Sequence, residues 1–149
     1  MSGISASEDC LAKYNLVKTK KHSYGIFCVE DTKVECKQLG DAFKCKEDED
    51  VAKFEEEVYN KMYAYAEENL GSTAAYIVID FKYITDRRQD KLVLISWCPE
   101  SKLKVKAKML HGSTLNALKQ QFEGIQGQHI QAADFGELEY ASVFDEVKR

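Results

Sequence analysis

Hydrophobic and polar residues follow two spacings along this chain, one typical of α-helices and the other of β-strands. Apolar residues recur every three or four positions over residues 6–19 and over residues 50–70, and both segments are predicted to be helices. Ser5 and Glu8 have the spacing of a capping box, which places the start of the first helix beside them. A short C-terminal helix is predicted from one further stripe, formed by Tyr140, Val143, Phe144 and Val147.

Apolar runs between these helices predict β-strands. The runs at residues 24–30 and 33–39 are separated by only two residues, which predicts an antiparallel hairpin. The continuous apolar runs at 74–81 and 91–98 are typical of strands covered on both faces, and the polar loop between them predicts a second hairpin. A weaker, short strand is predicted at 129–135. This order predicts one mixed sheet with helices on both faces, in which the strands flanking the long helix form a parallel pair.

One segment combines basic and apolar residues in an unusual way. Residues 102–122 carry five lysines and no acid, although the whole chain has a net charge of −4. The glycine–serine pair at 112–113 predicts a break, so the segment is expected to form a kinked pair of helices at 102–111 and 114–123. The second helix has a clean core stripe, whereas the first combines lysines with apolar side chains beyond what a solvated helix needs.

A basic helix with Met109 and Leu110 among its lysines is suited to docking against another protein. Its charge would steer the encounter with an acid-rimmed apolar cleft, and the apolar side chains would supply the desolvated anchor. The alternative is an ordinary surface helix, and the composition of the segment leaves both interpretations open.

Length and charge narrow the class of protein. With 149 residues the chain is expected to form a single domain over residues 1–149. Its negative net charge argues against nucleic-acid binding, which usually needs a basic face. The sequence contains no run of 18 apolar residues and no secretory signal, so no membrane span is expected. We therefore predict a cytosolic protein, with the nucleus left open as a second compartment.

The polar residues form no recognisable catalytic or metal-binding pattern. The five cysteines are widely spaced and are interpreted as reduced thiols. A zinc site is conceivable at four residues whose spacing fits no known pattern, His22, Cys28, Cys36 and Cys45. His111 lies near Ser113 and Thr114, but no acid that could orient it is nearby in the sequence. A binding module without a cofactor is therefore favoured over an enzyme.

Five stretches of the chain carry a family resemblance. In order they are "SGI", "AAYIVIDF", "KLVLISWCPES", "KVKAKMLHGSTLNALKQQFEGIQ" and "IQAADFGELEYASVFDEV". The most specific feature is a W-x-P-[DE] element followed by a basic K-x-K-M segment and a later G-I-Q. Over nearly its whole length the chain resembles the actin-depolymerising factor/cofilin family. The resemblance implies the α/β fold of a single actin-depolymerising-factor homology domain, with a central mixed sheet of five to six strands flanked by helices on both faces.

The resemblance also implies a function. Family members are monomeric, non-enzymatic proteins that bind actin monomers, preferably in the ADP form, as well as filaments, and promote filament disassembly by depolymerisation and severing. They act in the cytoplasm, at the actin cytoskeleton. Two alternatives with the same fold stay open: a protein that mainly binds and sequesters monomers, and a phosphoinositide-regulated adaptor that uses the lysines of residues 102–108.

Two actin-binding surfaces are implied by position. The monomer surface would comprise Ser2, Gly3, Lys104, Lys106, Lys108, Met109 and Leu110. The filament surface would comprise Arg87, Arg88, Lys91, Asp145 and Arg149. Ser2 matches the serine whose phosphorylation inactivates many relatives. Gln89 and Glu146 stand where the family often has a basic residue, so filament severing is in doubt more than monomer binding.

Overall fold

The computed structural model describes residues 4–41, 51–84, 88–126 and 129–147. Of residues 51–55, 84 and 88 it describes the backbone alone.

Within this part of the chain, six strands form one mixed sheet. They are β1 (Ser5–Ala6), β2 (Tyr24–Glu30), β3 (Lys33–Leu39), β4 (Ala75–Ile84), β5 (Arg88–Trp97) and β6 (Ile130–Ala132). Their spatial order is β1-β3-β2-β4-β5-β6. The hairpins β2–β3 and β4–β5 are antiparallel and form the centre, whereas β1 and β6 lie at the edges, parallel to β3 and β5. The predicted mixed sheet and both predicted hairpins are confirmed.

The parallel pair predicted across the long helix is wrong. β3 and β4 run in the same direction, but β2 lies between them and pairs antiparallel with both. The tight hairpin places β3 on one edge of β2, which leaves only the other edge for the strand that follows the helix.

Helices cover both faces of the sheet, as predicted. α1 (Glu8–Lys18) and α3 (Val105–Gln121) contribute to the core on one face. α2 (Val51–Asn69), α4 (Phe135–Leu138) and α5 (Tyr140–Val147) cover the other. Successive residues of β4 point alternately into the two cores, with Tyr76 and Val78 in one and Ile77 and Ile79 in the other. This double burial explains why the central strands are continuous apolar runs.

Local side-chain contacts correct the start of the first helix. Ser7 is its N-cap, because its side chain accepts a hydrogen bond from the backbone N–H of Cys10 at 3.0 Å. Ser5, which was predicted to cap the helix, lies instead in β1. Neither β1 nor α4 was predicted, since two and four residues are too few to show a period.

The predicted break at residues 112–113 is also absent. α3 runs as one helix through both residues, and a 3₁₀ turn over Glu100–Lys102 precedes it. Ser113 does not act as a cap, since its hydroxyl donates to the carbonyl of Leu110 at 3.2 Å. The buried stripe of α3 already begins with His111, one residue before the glycine, so packing on the sheet continues across the predicted break.

Candidate functional site

The two halves of α3 differ sharply in burial. From His111 onward the helix packs on the sheet through Leu115 and Leu118. In its first two turns, by contrast, Val105 is 72% exposed and Met109 is 71% exposed, the highest values among the large apolar side chains described. These two residues are four positions apart and lie on the same side of the helix. An apolar stripe left in water at this end is a mark of an interaction surface.

Positive charge surrounds this stripe. Lys102, Lys104 and Lys106 are exposed, Lys108 is half-buried, and the structure records no ion pair between any of the four and the described residues. The first turn of α3 contains no acid, and the N-cap residue gives it no side-chain hydrogen bond. The free N–H groups and the helix dipole add partial positive charge at this end. The basic half of α3, a name used here for helical residues 105–110 together with residues 102–104 just before them, is therefore suited to an acidic partner.

A shallow apolar cavity of about 240 Å³ opens beside the basic half of α3. One side is formed by Leu103, just before α3, and by Ala107 and Leu110 within it, whereas Val29 and Tyr76 lie among the residues of the sheet side. Ala107 and Leu110 lie on a different side of α3 from Val105 and Met109, so this recess is separate from the exposed stripe.

His111 has a structural environment rather than a catalytic one. Its ring stacks on Tyr76, with centroids 4.5 Å apart and an interplanar angle of 3°. Its Nε2 lies 2.8 Å from Oγ of Ser96 in a buried hydrogen bond, whereas the neighbouring Ser113 is exposed. Burial, with a smaller contribution from His129, lowers the pKa of His111 to about 4. The imidazole is therefore neutral near pH 7 and joins the helix to the sheet.

A second surface lies at the far end of the central hairpin. The pairing of β2 with β4 ends at Ile79, and the pairing of β5 with β6 begins only at Ile95. Residues 81–84 and 88–91 consequently form a two-stranded extension, which we call the outer ribbon.

Aromatic side chains attach the outer ribbon to α5. Phe81 stacks on Tyr140 at a centroid distance of 5.7 Å, and Tyr83 meets Phe144 edge-on at 6.1 Å. Lys91 adds a polar link, because its Nζ donates to the carbonyl of Val147 at 2.9 Å. A cation is favourable at this place, where the last carbonyls of a helix carry partial negative charge.

The structure thus positions most of the predicted site residues. Residues 104–110 share one end of α3, and Lys91 lies beside the helix that carries the exposed Asp145. The backbone of Arg88 pairs with Ile84 in the outer ribbon. The remaining predicted residues lie outside the described part of the chain: Ser2, Gly3, Arg87 and Arg149.

Sequence reasoning missed two residues of these surfaces. Val105 was not named among the candidate residues, although its spacing of four from Met109 in the predicted helix was a usable signal. Lys20 gave no signal, yet it contacts the base of the outer ribbon through Asp80 and Asp90.

The described residues contain no group of three or more His, Cys, Asp or Glu side chains that could hold a metal ion. Cys45, one of the four residues considered for zinc, lies outside them. None of the helices in the described ranges is both long and apolar enough to cross a membrane.

The six-stranded mixed sheet between two helical layers defines an actin-depolymerising-factor homology fold. The family model of cofilin/tropomyosin-type actin-binding proteins matches residues 3–148, and the chain belongs to this family. It is 31% identical to a cofilin of Schizosaccharomyces pombe over 150 residues, which cover 99% of this chain and 97% of that protein. It is 29% identical to actophorin of Acanthamoeba castellanii over 153 residues, with coverages of 100% and 98%.

Solved structures agree with this assignment. The crystal structure of Streptomyces griseoflavus cofilin superposes with a TM-score of 0.76 at 26% identity, covering 99% of this chain and 98% of that one. The solution structure of an ADF/cofilin from Trypanosoma brucei gives 0.73 at 30% identity, with coverages of 99% and 96%. The predicted family and fold are confirmed, and actin is the partner that the family implies.

Proposed function

We propose that this protein binds actin monomers through the basic half of α3, binds actin filaments through the outer ribbon and α5, and promotes filament disassembly by depolymerisation and severing. The observation that carries the proposal is the exposed pair Val105 and Met109 within a group of lysines for which no ion pair with the described residues is recorded. The core does not include these two side chains, so its packing does not account for them.

The monomer surface combines two kinds of interaction. The lysines and the helix N-terminus attract an acidic cleft and set the orientation of the encounter. Met109, Val105 and Leu110 then lose their water contact and supply the anchor. Ser2 and Gly3 complete this surface in the proposal, together with Lys104, Lys106 and Lys108. We infer a preference for the ADP form of the monomer from the family resemblance alone.

Regulation by negative charge follows from the same electrostatics. Phosphorylation of Ser2 would add about −1.5 to −2 charges beside the monomer surface and repel an acidic partner. Phosphoinositide headgroups would compete for the lysines of the basic half of α3, each worth about 1 kcal/mol near an anionic membrane. The proposed place of action is the cytoplasmic actin cytoskeleton.

A filament surface is proposed at Arg87, Arg88, Lys91, Asp145 and Arg149. One observation favours a weaker version of it. The side chain of Gln89 accepts a hydrogen bond from Tyr83 at 3.2 Å, and Lys91 is engaged by the carbonyl of Val147. A protein with this ribbon could bind mainly monomers, and this is the second candidate function.

Sedimentation with pre-formed actin filaments distinguishes the two candidates. We expect the protein to enter the pellet with filaments while actin shifts partly to the supernatant as short filaments and monomers. If actin moves to the supernatant but the protein never pellets, the monomer-binding candidate replaces the first. If neither partition changes and monomer binding is also absent, the proposed function is wrong. Liposome flotation with phosphoinositide vesicles, with and without actin, tests the lipid competition.

A further inference from the structure

The chain leaves α1 through a backbone conformation that usually requires glycine. After the capping residue Thr19, Lys20 has a φ of 69°, in the left-handed region. Its N–H donates to the carbonyl of Val17 at 3.1 Å, and the N–H of Lys21 donates to Leu16 at 2.9 Å. These two bonds define a Schellman motif, whose left-handed position disfavours any residue with a Cβ. A lysine here is strained unless its side chain makes contacts that offset the strain.

The side chain of Lys20 makes such contacts with two strands. Its Nζ lies 2.7 Å from Oδ2 of Asp90 in β5 and 3.4 Å from both carboxylate oxygens of Asp80 in β4. The side chain of Asp80 is only 5% exposed, so its charge needs a partner. Lys82 contacts the same two carboxylates at 3.1 and 3.4 Å. Lys20, Asp80, Lys82 and Asp90 form a neutral group of two cations and two anions, which we call the Lys20 cluster.

The Lys20 cluster lies where the outer ribbon leaves the sheet. Lys82 and Asp90 are directly opposite each other in the β4–β5 register, and Asp80 precedes them on the same face. The opposite face of the ribbon packs on α5 through Phe81 and Tyr83. The ribbon is thus held by aromatic contacts on one side and by ion pairs to the end of α1 on the other.

The electrostatics of Asp90 agree with this ion-paired arrangement. Burial works to raise its pKa, but the hydrogen bond and charge of Lys20, together with those of Lys82, outweigh this and hold the pKa below its usual range. The carboxylate is accordingly favoured in its ionised, bridging form.

We infer that Lys20 is a positioning residue: its ammonium group holds the outer ribbon in the orientation in which it meets an actin filament. This inference rests on the filament binding proposed above. Lys20 need not touch actin itself, because it acts through Asp80 and Asp90 on the ribbon that carries Arg88 and Lys91. The basic half of α3 receives no support from the Lys20 cluster, so monomer binding should not depend on it.

Lys20→Gly tests the inference because it removes the ammonium group and relieves the backbone strain at the same time. The two effects on stability oppose each other, so the thermal midpoint should stay close to that of the wild type. Amide hydrogen exchange of the free protein should speed up in residues 81–84 and 88–91, and filament affinity should fall about three- to tenfold. Monomer affinity should not change.

Two control variants separate positioning from simple loss of charge. Lys20→Arg keeps the cation and should restore both the slow exchange and the filament affinity. Lys21→Ala removes a positive charge from the adjacent position, for which no ion pair is recorded with the described residues, and should leave both at wild-type values.

Each combination of results has a meaning. Unchanged ribbon exchange in Lys20→Gly overturns the inference, as does filament affinity equal to that of Lys21→Ala. If the wild type binds monomers but never pellets with filaments, the proposed filament function fails. In that case faster exchange in Lys20→Gly would still establish that Lys20 orders the ribbon, while its role in filament binding would be overturned.

Discussion

The two halves of α3 share one continuous backbone but use their side chains in opposite ways. The second half buries Leu115, Leu118 and the following Phe122 against the sheet. The first half buries almost nothing and instead presents Val105 and Met109 among lysines. His111 lies at the boundary between them and is joined to both Tyr76 and Ser96. Stability and binding are therefore carried by adjacent turns of one helix, and substitutions in the two halves should have different consequences.

Truncating a buried side chain in or next to the second half of α3 should lower the stability of the protein. Phe122→Ala removes a ring that stacks on Tyr14 at 4.3 Å and touches Phe27, and the free energy of unfolding should fall by about 3–5 kcal/mol. Val105→Ala, in the basic half of α3, should change the free energy of unfolding by less than about 0.5 kcal/mol. Urea unfolding followed by circular dichroism measures both. Equal losses in the two variants would contradict the division of the helix.

Substitutions of lysines in the basic half of α3 should weaken actin-monomer binding rather than stability. Lys106→Ala combined with Lys108→Ala should weaken monomer affinity by about 2–4 kcal/mol, because the partner's acids lose their counter-charges. Stability should remain within about 0.5 kcal/mol of the wild type, since neither lysine has a recorded ion pair with the described residues. The matched control is Lys61→Ala with Lys119→Ala, an equal loss of charge at exposed positions elsewhere. If the double variant bound actin monomers as tightly as this control does, the basic half of α3 would not be the monomer-binding surface.

The boundary between the halves should respond to pH. His111 has a pKa of about 4 in the folded protein and about 6.5 when unfolded, so the unfolded chain binds the proton more readily. Its contribution to stability, about 3 kcal/mol in all, is complete above pH 6.5 and is lost as the pH falls through 4.

His111→Gln should flatten this dependence between pH 7 and pH 4.5. Urea unfolding at several pH values measures the slope, and the difference between variant and wild type cancels contributions from groups that do not interact with His111. Parallel slopes for the two proteins would mean that protonation of His111 does not contribute to the pH dependence of the free energy of unfolding.

The sequence-based predictions succeeded where a pattern extends over many residues. The hairpin at 24–30 and 33–39 has the predicted bounds, because alternation and a short turn are local properties of the chain. The break at Gly112 was predicted from local propensity, and it is absent because His111 and Leu115 pack on either side of it. Tertiary packing decided the outcome there.

Contacts between residues that are far apart in the sequence could not be predicted from such patterns. Lys20 meets partners 60 and 70 residues away, and nothing near it in the sequence specifies a left-handed lysine. The charge and the exposed apolar surface of the basic half of α3 could be predicted from the sequence, but which side chains form the exposed stripe could not. Exposure depends on where the helix leaves the sheet, and that place is set by the core stripe beginning at His111.

The smallest of these effects tests what the exposed apolar stripe adds to charge. Met109→Ala should weaken monomer binding by about 1 kcal/mol and leave stability unchanged, because its side chain contacts mainly water in the free protein. Titrations at low and high salt separate the two contributions. The affinity of Met109→Ala should fall with salt as steeply as that of the wild type, whereas the double lysine variant should lose part of this dependence. If both variants flattened the salt dependence equally, Met109 would act by orienting its lysine neighbours rather than by burying apolar surface.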